Sequence, residues 1–155
     1  MNKYELSYFA GLMDGEGCFN INFNKKRNTY QARLTMSNTN TNLVEWCRDR
    51  IGGKIYLRKK YAIHHKDKYE WMSWGDRDTL LKLLQKTLPF LVGKREQCKT
   101  LIRFQKTLNR KGENKRITQS NKKQRELLYK RIKILNATGL ATTKREDVQP
   151  NEAIV

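Results

Sequence analysis

Phe9-Ala10-Gly11-Leu12-Met13-Asp14-Gly15-Glu16-Gly17 is the stretch on which the reading of this chain turns. Leu6, Phe9, Ala10 and Met13 follow the i, i+3, i+4, i+7 spacing of one buried helical face. Tyr4, Tyr8, Gly11 and Leu12 form a second apolar face that includes a small residue. A helix apolar on both sides has to be covered on both sides. One side packs on its own domain. The other, with Tyr8, Ala10, Gly11 and Leu12, suits close approach of a second helix. Gly15 lies where a C-terminal glycine is expected, and Gly17 follows it. Glu16 falls at that end, where the macrodipole is negative and a carboxylate is disfavoured. A carboxylate placed there, on a packing seam, predicts a cation beside it.

Beyond Cys18 the period changes from helical to alternating. Phe19, Ile21 and Phe23 alternate with Asn20, Asn22 and Asn24, the pattern of a half-buried strand. After a polar, basic turn from Lys25 to Thr29, Ala32, Leu34 and Met36 alternate with Gln31, Arg33 and Thr35, which completes a hairpin. Asn42 and Glu45 have capping-box spacing for a helix carrying Val44, Cys47 and Ile51, stopped by Gly52-Gly53. Ile55 and Leu57 then point inward, with Lys54, Tyr56, Arg58 and Lys60 outward. A strand returns over 69–74, but Tyr69, Trp71, Met72 and Trp74 leave its register open. Asp76 or Asp78 caps a helix through Leu80, Leu81, Leu83 and Leu84, ending near Pro89. Residues 94–108 form another helix, 109–123 a basic loop, and 126–136 a last amphipathic helix. The spacing predicts one domain over 1–138, with a core over 1–108 and a helical extension over 109–138. A frayed tail over 139–155 follows.

The chain has 155 residues, with 33 Lys and Arg against 15 Asp and Glu, a net charge of +18. Such an excess favours a polyanionic partner, most simply nucleic acid. No apolar run reaches the ~18 residues of a spanning helix, and there is no signal-peptide core. The expectation is a soluble, intracellular protein with no membrane partner; prokaryotic cytoplasm and organelle matrix are not distinguished. Cys18, Cys47 and Cys98 are scattered within apolar patterns and read as reduced, buried thiols. His64 and His65 are adjacent, with no cysteine at zinc-finger spacing, so structural zinc and His-rich nuclease motifs are disfavoured. Asp14 and Glu16 lack the later ligands of a calcium loop.

The nine-residue stretch resembles the signature of the LAGLIDADG homing endonucleases. Phe9 replaces the first leucine, Met13 the isoleucine and Glu16 the second acid, and Cys18-Phe19 leads into an apolar strand as in the family. The order of elements over roughly 1–105 is also the family's. The resemblance implies an α+β fold of αββαββα type. It has an antiparallel, saddle-shaped sheet with helices on one face, and C-terminal helices are added. It implies that the Gly15 carbonyl joins Glu16 in holding metal. Leu88-Pro89-Phe90-Leu91-Val92-Gly93-Lys94 resembles the family segment that delivers an active-site lysine, Lys94. Asn38 takes the polar position at the second strand's end, where the family often has Gln and where a water network is held. Asp14 is expected to be structural, capping the partner helix.

Asn20, Asn22, Asn24, Gln31, Arg33 and Thr35 offer amides, guanidinium and hydroxyl on one sheet face, with no acid between Asn20 and Asn42. Asn and Gln pair with adenine edges and Arg with guanine. Lys26, Lys54, Tyr56, Arg58 and Lys60 extend this DNA-binding set. A strand of about nine residues at ~3.3 Å each spans about nine base pairs at ~3.4 Å, so one domain reads about half of a ~20-base-pair site. A single motif copy in 155 residues then requires a second chain, and two-fold symmetry gives a near-palindromic target. Two Glu16 carboxylates meeting at the axis would repel without a divalent cation between them. With oxygen ligands only, the expected ion is Mg2+, for which Mn2+ can substitute. The reading is a homodimeric, magnesium-dependent, intron-encoded type of double-strand DNA endonuclease. The alternatives are an RNA maturase acting on intron RNA, or a non-catalytic DNA-binding protein on the same fold. An unrelated basic RNA-binding protein is a third.

Overall fold

The computed structural model describes residues 1–59, 67–73, 75–109 and 117–138. Its elements run α1 (Lys3–Gly15), β1 (Gly17–Asn24), β2 (Thr29–Asn38), α2 (Thr41–Ile51), β3 (Lys54–Arg58) and β4 (Lys68–Met72). Then come α3 (Arg77–Thr87), a 3-10 turn (Leu88–Phe90), α4 (Arg95–Lys106) and α5 (Gln119–Thr138). This is the α+β order expected, αββαββα followed by C-terminal helices, here α4 and α5. The four strands make one antiparallel sheet in the order β1-β2-β4-β3.

Register decides which side chains share a face. Phe19 lies opposite Leu34 and Ile21 opposite Ala32, all buried, while Asn20 faces Arg33 and Asn22 faces Gln31 on the other side. Trp71 pairs with Met36 and Ile55, and Met72 with Thr35 and Lys54. The open register is thereby settled: Trp71 is inward, and Met72 is on the polar face. Trp74, Lys60, His64 and His65 lie outside the described residues. Leu57 shares the inward alternation but is 50% exposed at the far end of an edge strand.

The buried sheet face joins Phe9, Ala10 and Met13 of α1, Val44 and Cys47 of α2, Leu80 and Leu84 of α3, and Leu101 and Phe104 of α4. Ala10 is fully buried in this core. Its expected place on the partner-facing side is therefore corrected: one position after Phe9, it turns with the core stripe and away from Gly11. Burial pushes the Cys47 and Cys98 thiols up to about 12, which leaves both inert.

The helix ends differ from expectation in physical detail. A capping box between Asn2 and Glu5 starts α1. Gly15 stays within the helix, and Glu16 is its cap, donating its N–H to the Leu12 carbonyl at 2.8 Å. Gly17 is there for space, because a Cβ would sit 2.5 Å from Met13 Sδ and 2.6 Å from its Cα. At Gly53, φ is +116° and a Cβ would lie 2.3 Å from the Met72 carbonyl, so only glycine lets β3 leave α2 beside β4. Asn40, not Asn42, caps α2, and Asp76 caps α3 with N–H bonds from Asp78 and Thr79.

The last helix is longer than its apolar pattern predicts. Part of the expected loop, from Gln119 onward, is helical, and residues 110–116 lie outside the described set. The reason is tertiary docking. Arg125 is buried and donates to Thr107 Oγ1 at 3.1 Å and to the Thr107 carbonyl at 2.5 Å. Leu128 and Ile132 join the core, and Asn136 Nδ2 donates to the Phe19 carbonyl at 2.9 Å, which covers the edge of β1. The tail expected over 139–155 lies outside the described residues. Among those described, no helix is long and apolar enough to cross a membrane.

Candidate active site and nucleic-acid interface

The end of α1 is built from both ends of the core. Asp14 accepts the Val92 N–H on Oδ2 at 2.7 Å and the Lys94 N–H on Oδ1 at 2.8 Å. It therefore caps α4 of its own chain, whose start has no other side-chain cap. The expectation that Asp14 caps a partner helix is corrected. Lys94 in turn donates Nζ to the Met13 carbonyl at 2.9 Å and the Gly17 carbonyl at 2.7 Å. A cation at the carbonyl end of a helix complements its dipole. These bonds fix the turn that carries Glu16. An ammonium has three N–H donors, so one remains for another acceptor.

Gly15 and Glu16 are both exposed on that turn. Among the described residues the Glu16 carboxylate has no hydrogen bond or ion pair, although cations are plentiful in the chain. No cluster of three or more His, Cys, Asp or Glu that could hold a metal occurs among the described residues. Asn38 is in the alternation that carries Leu34 and Met36, and its Oδ1 accepts the Asn40 N–H at 2.8 Å. The structure gives it a turn role at the entry to α2.

The outer face of α1 presents Tyr4 and Tyr8, 84% and 46% exposed, with Gly11, half-buried Leu12 and Gly15. A Cβ added at Gly11 or Gly15 would meet nothing within 4 Å in this chain. Each exposed helical glycine costs about 1 kcal/mol relative to alanine. The chain by itself gives no reason for either. Val92, 84% exposed, stands beside the Asp14 clasp on the adjoining loop.

The polar sheet face carries the remaining expected residues. Asn20 Nδ2 donates to Asn22 Oδ1 at 3.0 Å, and Asn20 Oδ1 is buried with no hydrogen-bond partner among the described residues. Asn24 Oδ1 accepts the Arg27 N–H in the β1–β2 turn, which also displays Lys26. Arg33 reaches Gln31 Oε1 at 3.1 Å and the Met72 sulfur at 3.4 Å, which orients its guanidinium along the sheet. Thr35, Lys54 and Tyr56 share this face by register. Arg58 pairs with Glu70, an acid of β4 on the same face that the sequence reading did not weigh. Sequence reasoning placed a last helix over 126–136 but did not assign Tyr129, Lys133 and Asn136 of α5, which flank β1, to this face. The i, i+4, i+7 spacing of these three was the available signal.

Residues 9–72 match the sequence model of the family described as LAGLIDADG endonuclease. Among solved structures, the homing endonuclease I-CvuI in complex with its target is 22% identical, over 98% of this chain and 88% of that one, at a TM-score of 0.65. The archaeal intron-encoded homing endonuclease I-Vdi141I complexed with DNA is 16% identical over 84% and 83% of the two chains, at 0.67. The I-SmaMI LAGLIDADG homing endonuclease bound to cleaved DNA aligns with 96% of this chain but 52% of its own, at 18% identity and 0.58. At such identities the likeness is one of fold. No curated protein matches the sequence. Residues 9–72, which carry the motif of α1, thus resemble the LAGLIDADG endonuclease family in sequence, and the chain shares the fold of these homing endonucleases.

Proposed function

We propose that the chain is a site-specific double-strand DNA endonuclease that cuts a long, near-palindromic site as a homodimer, by metal-dependent phosphodiester hydrolysis. The observation that carries this is Glu16: an exposed carboxylate, unpaired among the described residues, on a turn braced by Lys94 at the end of α1. A carboxylate there opposes the helix dipole and does nothing for this chain's own stability. The structures of I-CvuI with DNA in the presence of calcium and of magnesium, and of I-Vdi141I with DNA, support DNA as the partner and a divalent cation as cofactor.

The donors fit such an ion as half of a site. Glu16 supplies carboxylate oxygen and Gly15 a carbonyl, whereas the Met13 and Gly17 carbonyls are taken by Lys94. All-oxygen donors suit Mg2+, or Mn2+ in its place. One chain's single carboxylate leaves the shell to be completed by a second Glu16 and by DNA phosphate. A divalent cation bound there supplies charge neutralisation at the phosphate and a more acidic water.

The chain's own residues do the rest. Pairing of two α1 helices through Tyr8, Gly11 and Leu12 brings the two Glu16 carboxylates to a common axis. Lys94 is a positioning residue for that turn, and its third N–H is available to a phosphate oxygen. Asn22, Gln31, Arg33 and Thr35 bind along the groove, and the net charge of +18 gathers the polyanion.

The test is cleavage of a plasmid library carrying randomised sites, in magnesium and in EDTA. The expected product is linear DNA cut within one near-palindromic sequence, in magnesium only. Tight duplex binding with no cutting in any divalent ion would overturn the nuclease reading in favour of a binding protein.

A further inference from the structure

We propose that α5 forms a phosphate-gripping wall along the outer edge of β1, with Lys133 as its contact residue. The inference rests on the DNA-binding reading above. Tyr129, Lys133 and Asn136 lie on one stripe of α5. At one end, the Tyr129 ring centroid lies 5.4 Å from that of Tyr30 and 6.5 Å from that of Phe23. At the other, Asn136 is bonded to the Phe19 carbonyl. Lys133 is thus held midway along the edge of β1. Its ammonium lies 5.7 Å from the Tyr129 ring centroid and is not placed against a carboxylate among the described residues.

Where this stripe meets the hairpin there is a hollow of about 610 Å³. Asn22 and Arg33 line it from the polar sheet face, Tyr129 and Lys133 from α5, and the Lys25–Arg27 turn closes its end. No acid lines it. The position of Lys133 selects its ligand. A ribbon seated in a major groove points its face at base edges, while its margins run beside the phosphates. Lys133 reaches in from the margin as a point charge on a flexible stem, which suits a phosphate oxygen and not the paired acceptors of a base. The packing of the Tyr129 ring on Tyr30 and Phe23 and the Asn136 bond hold the helix in place before DNA arrives.

The experiment measures binding of the full chain to a cognate and an unrelated duplex over a salt series, for wild type, Lys133→Ala, Lys133→Arg and Lys130→Ala. Lys133 is exposed, so these variants should melt as wild type does. Lys130 is paired with Glu126 and serves as the control. Lys133→Ala should weaken both duplexes by the same factor and reduce the log–log salt slope by ~0.9 per chain. Lys133→Arg and Lys130→Ala should keep the wild-type slope, and Lys130→Ala should cut as wild type does. An unchanged slope for Lys133→Ala would make α5 an edge cover only and overturn the proposal. Loss of preference confined to one base position would overturn it in favour of base reading. A wild type that bound no duplex would instead refute the function on which the proposal rests.

Discussion

The Lys94 N–H donates to Asp14 Oδ1 at 2.8 Å across a separation of 80 residues, and the Lys94 ammonium returns to the carbonyls on either side of Asp14, those of Met13 and Gly17. The acid caps the start of α4 and the base caps the end of α1. Two helix termini of opposite dipole are thereby joined by one reciprocal clasp, and the exposed Glu16 turn is part of it. Several consequences can be measured.

Asp14→Ala would orphan the N–H groups of Val92 and Lys94 together. Losing a charged acceptor of two backbone donors should lower stability by about 1–3 kcal/mol. Asp14→Asn, which keeps one acceptor oxygen, should lose less. Urea titration checks the order; equal stabilities for wild type and Asp14→Ala would show that the clasp contributes nothing.

Glu16→Gln should abolish cleavage and keep duplex binding, because its side chain has no structural partner among the described residues. Stability should be unchanged or slightly raised, since a charge opposing the α1 dipole is removed. Lys94→Ala should differ on both counts. It leaves the Met13 and Gly17 carbonyls without a cation, so it should lower stability by about 1 kcal/mol and slow cutting on every site alike. Thermal melts beside cleavage time courses separate the two. A Glu16→Gln protein cutting at the wild-type rate in magnesium would remove the metal assignment.

Gly11→Leu is a test of assembly that does not disturb the fold. A Cβ at Gly11 meets nothing within 4 Å, and leucine is the better helix former by nearly 1 kcal/mol. The isolated chain should therefore be as stable as wild type or more so, yet fail to dimerise and fail to cut. Analytical ultracentrifugation reads the first effect and cleavage the second. A wild type that stays monomeric at micromolar concentration, on and off DNA, would remove the two-fold model.

Arg33→Ala should relax preference at one position in each half-site. The guanidinium is held by Gln31 and Met72 along the polar sheet face, and base contacts contribute ~1–3 kcal/mol of discrimination each. Cleavage of a randomised-site library reports the profile. A uniform loss across all sites would mean that Arg33 grips phosphate instead.

Periodicity carried most of the fold. The stripe of Leu6, Phe9 and Met13 and the alternation from Phe19 to Met36 mark faces that lie close in sequence, so local pattern was enough to predict the helix, the hairpin and their polar side. Glu16 and Gly11 were legible for the same reason: each contradicts the helix that holds it unless another body is present. Contacts across the chain were not legible. Nothing near Asp14 tells that its carboxylate meets residues 92 and 94 of the same chain. The length of α5 is likewise set by Arg125 docking on Thr107, because a basic segment with few apolar residues gains a helix only from tertiary burial. Sequence by itself thus determined the elements, their inward faces and the misplaced carboxylate, all of which depend on spacing within a few residues. Only the tertiary structure decided that Lys94 braces the Glu16 turn and that Lys133 stands at the edge of β1. Those placements come from packing between segments far apart in the chain.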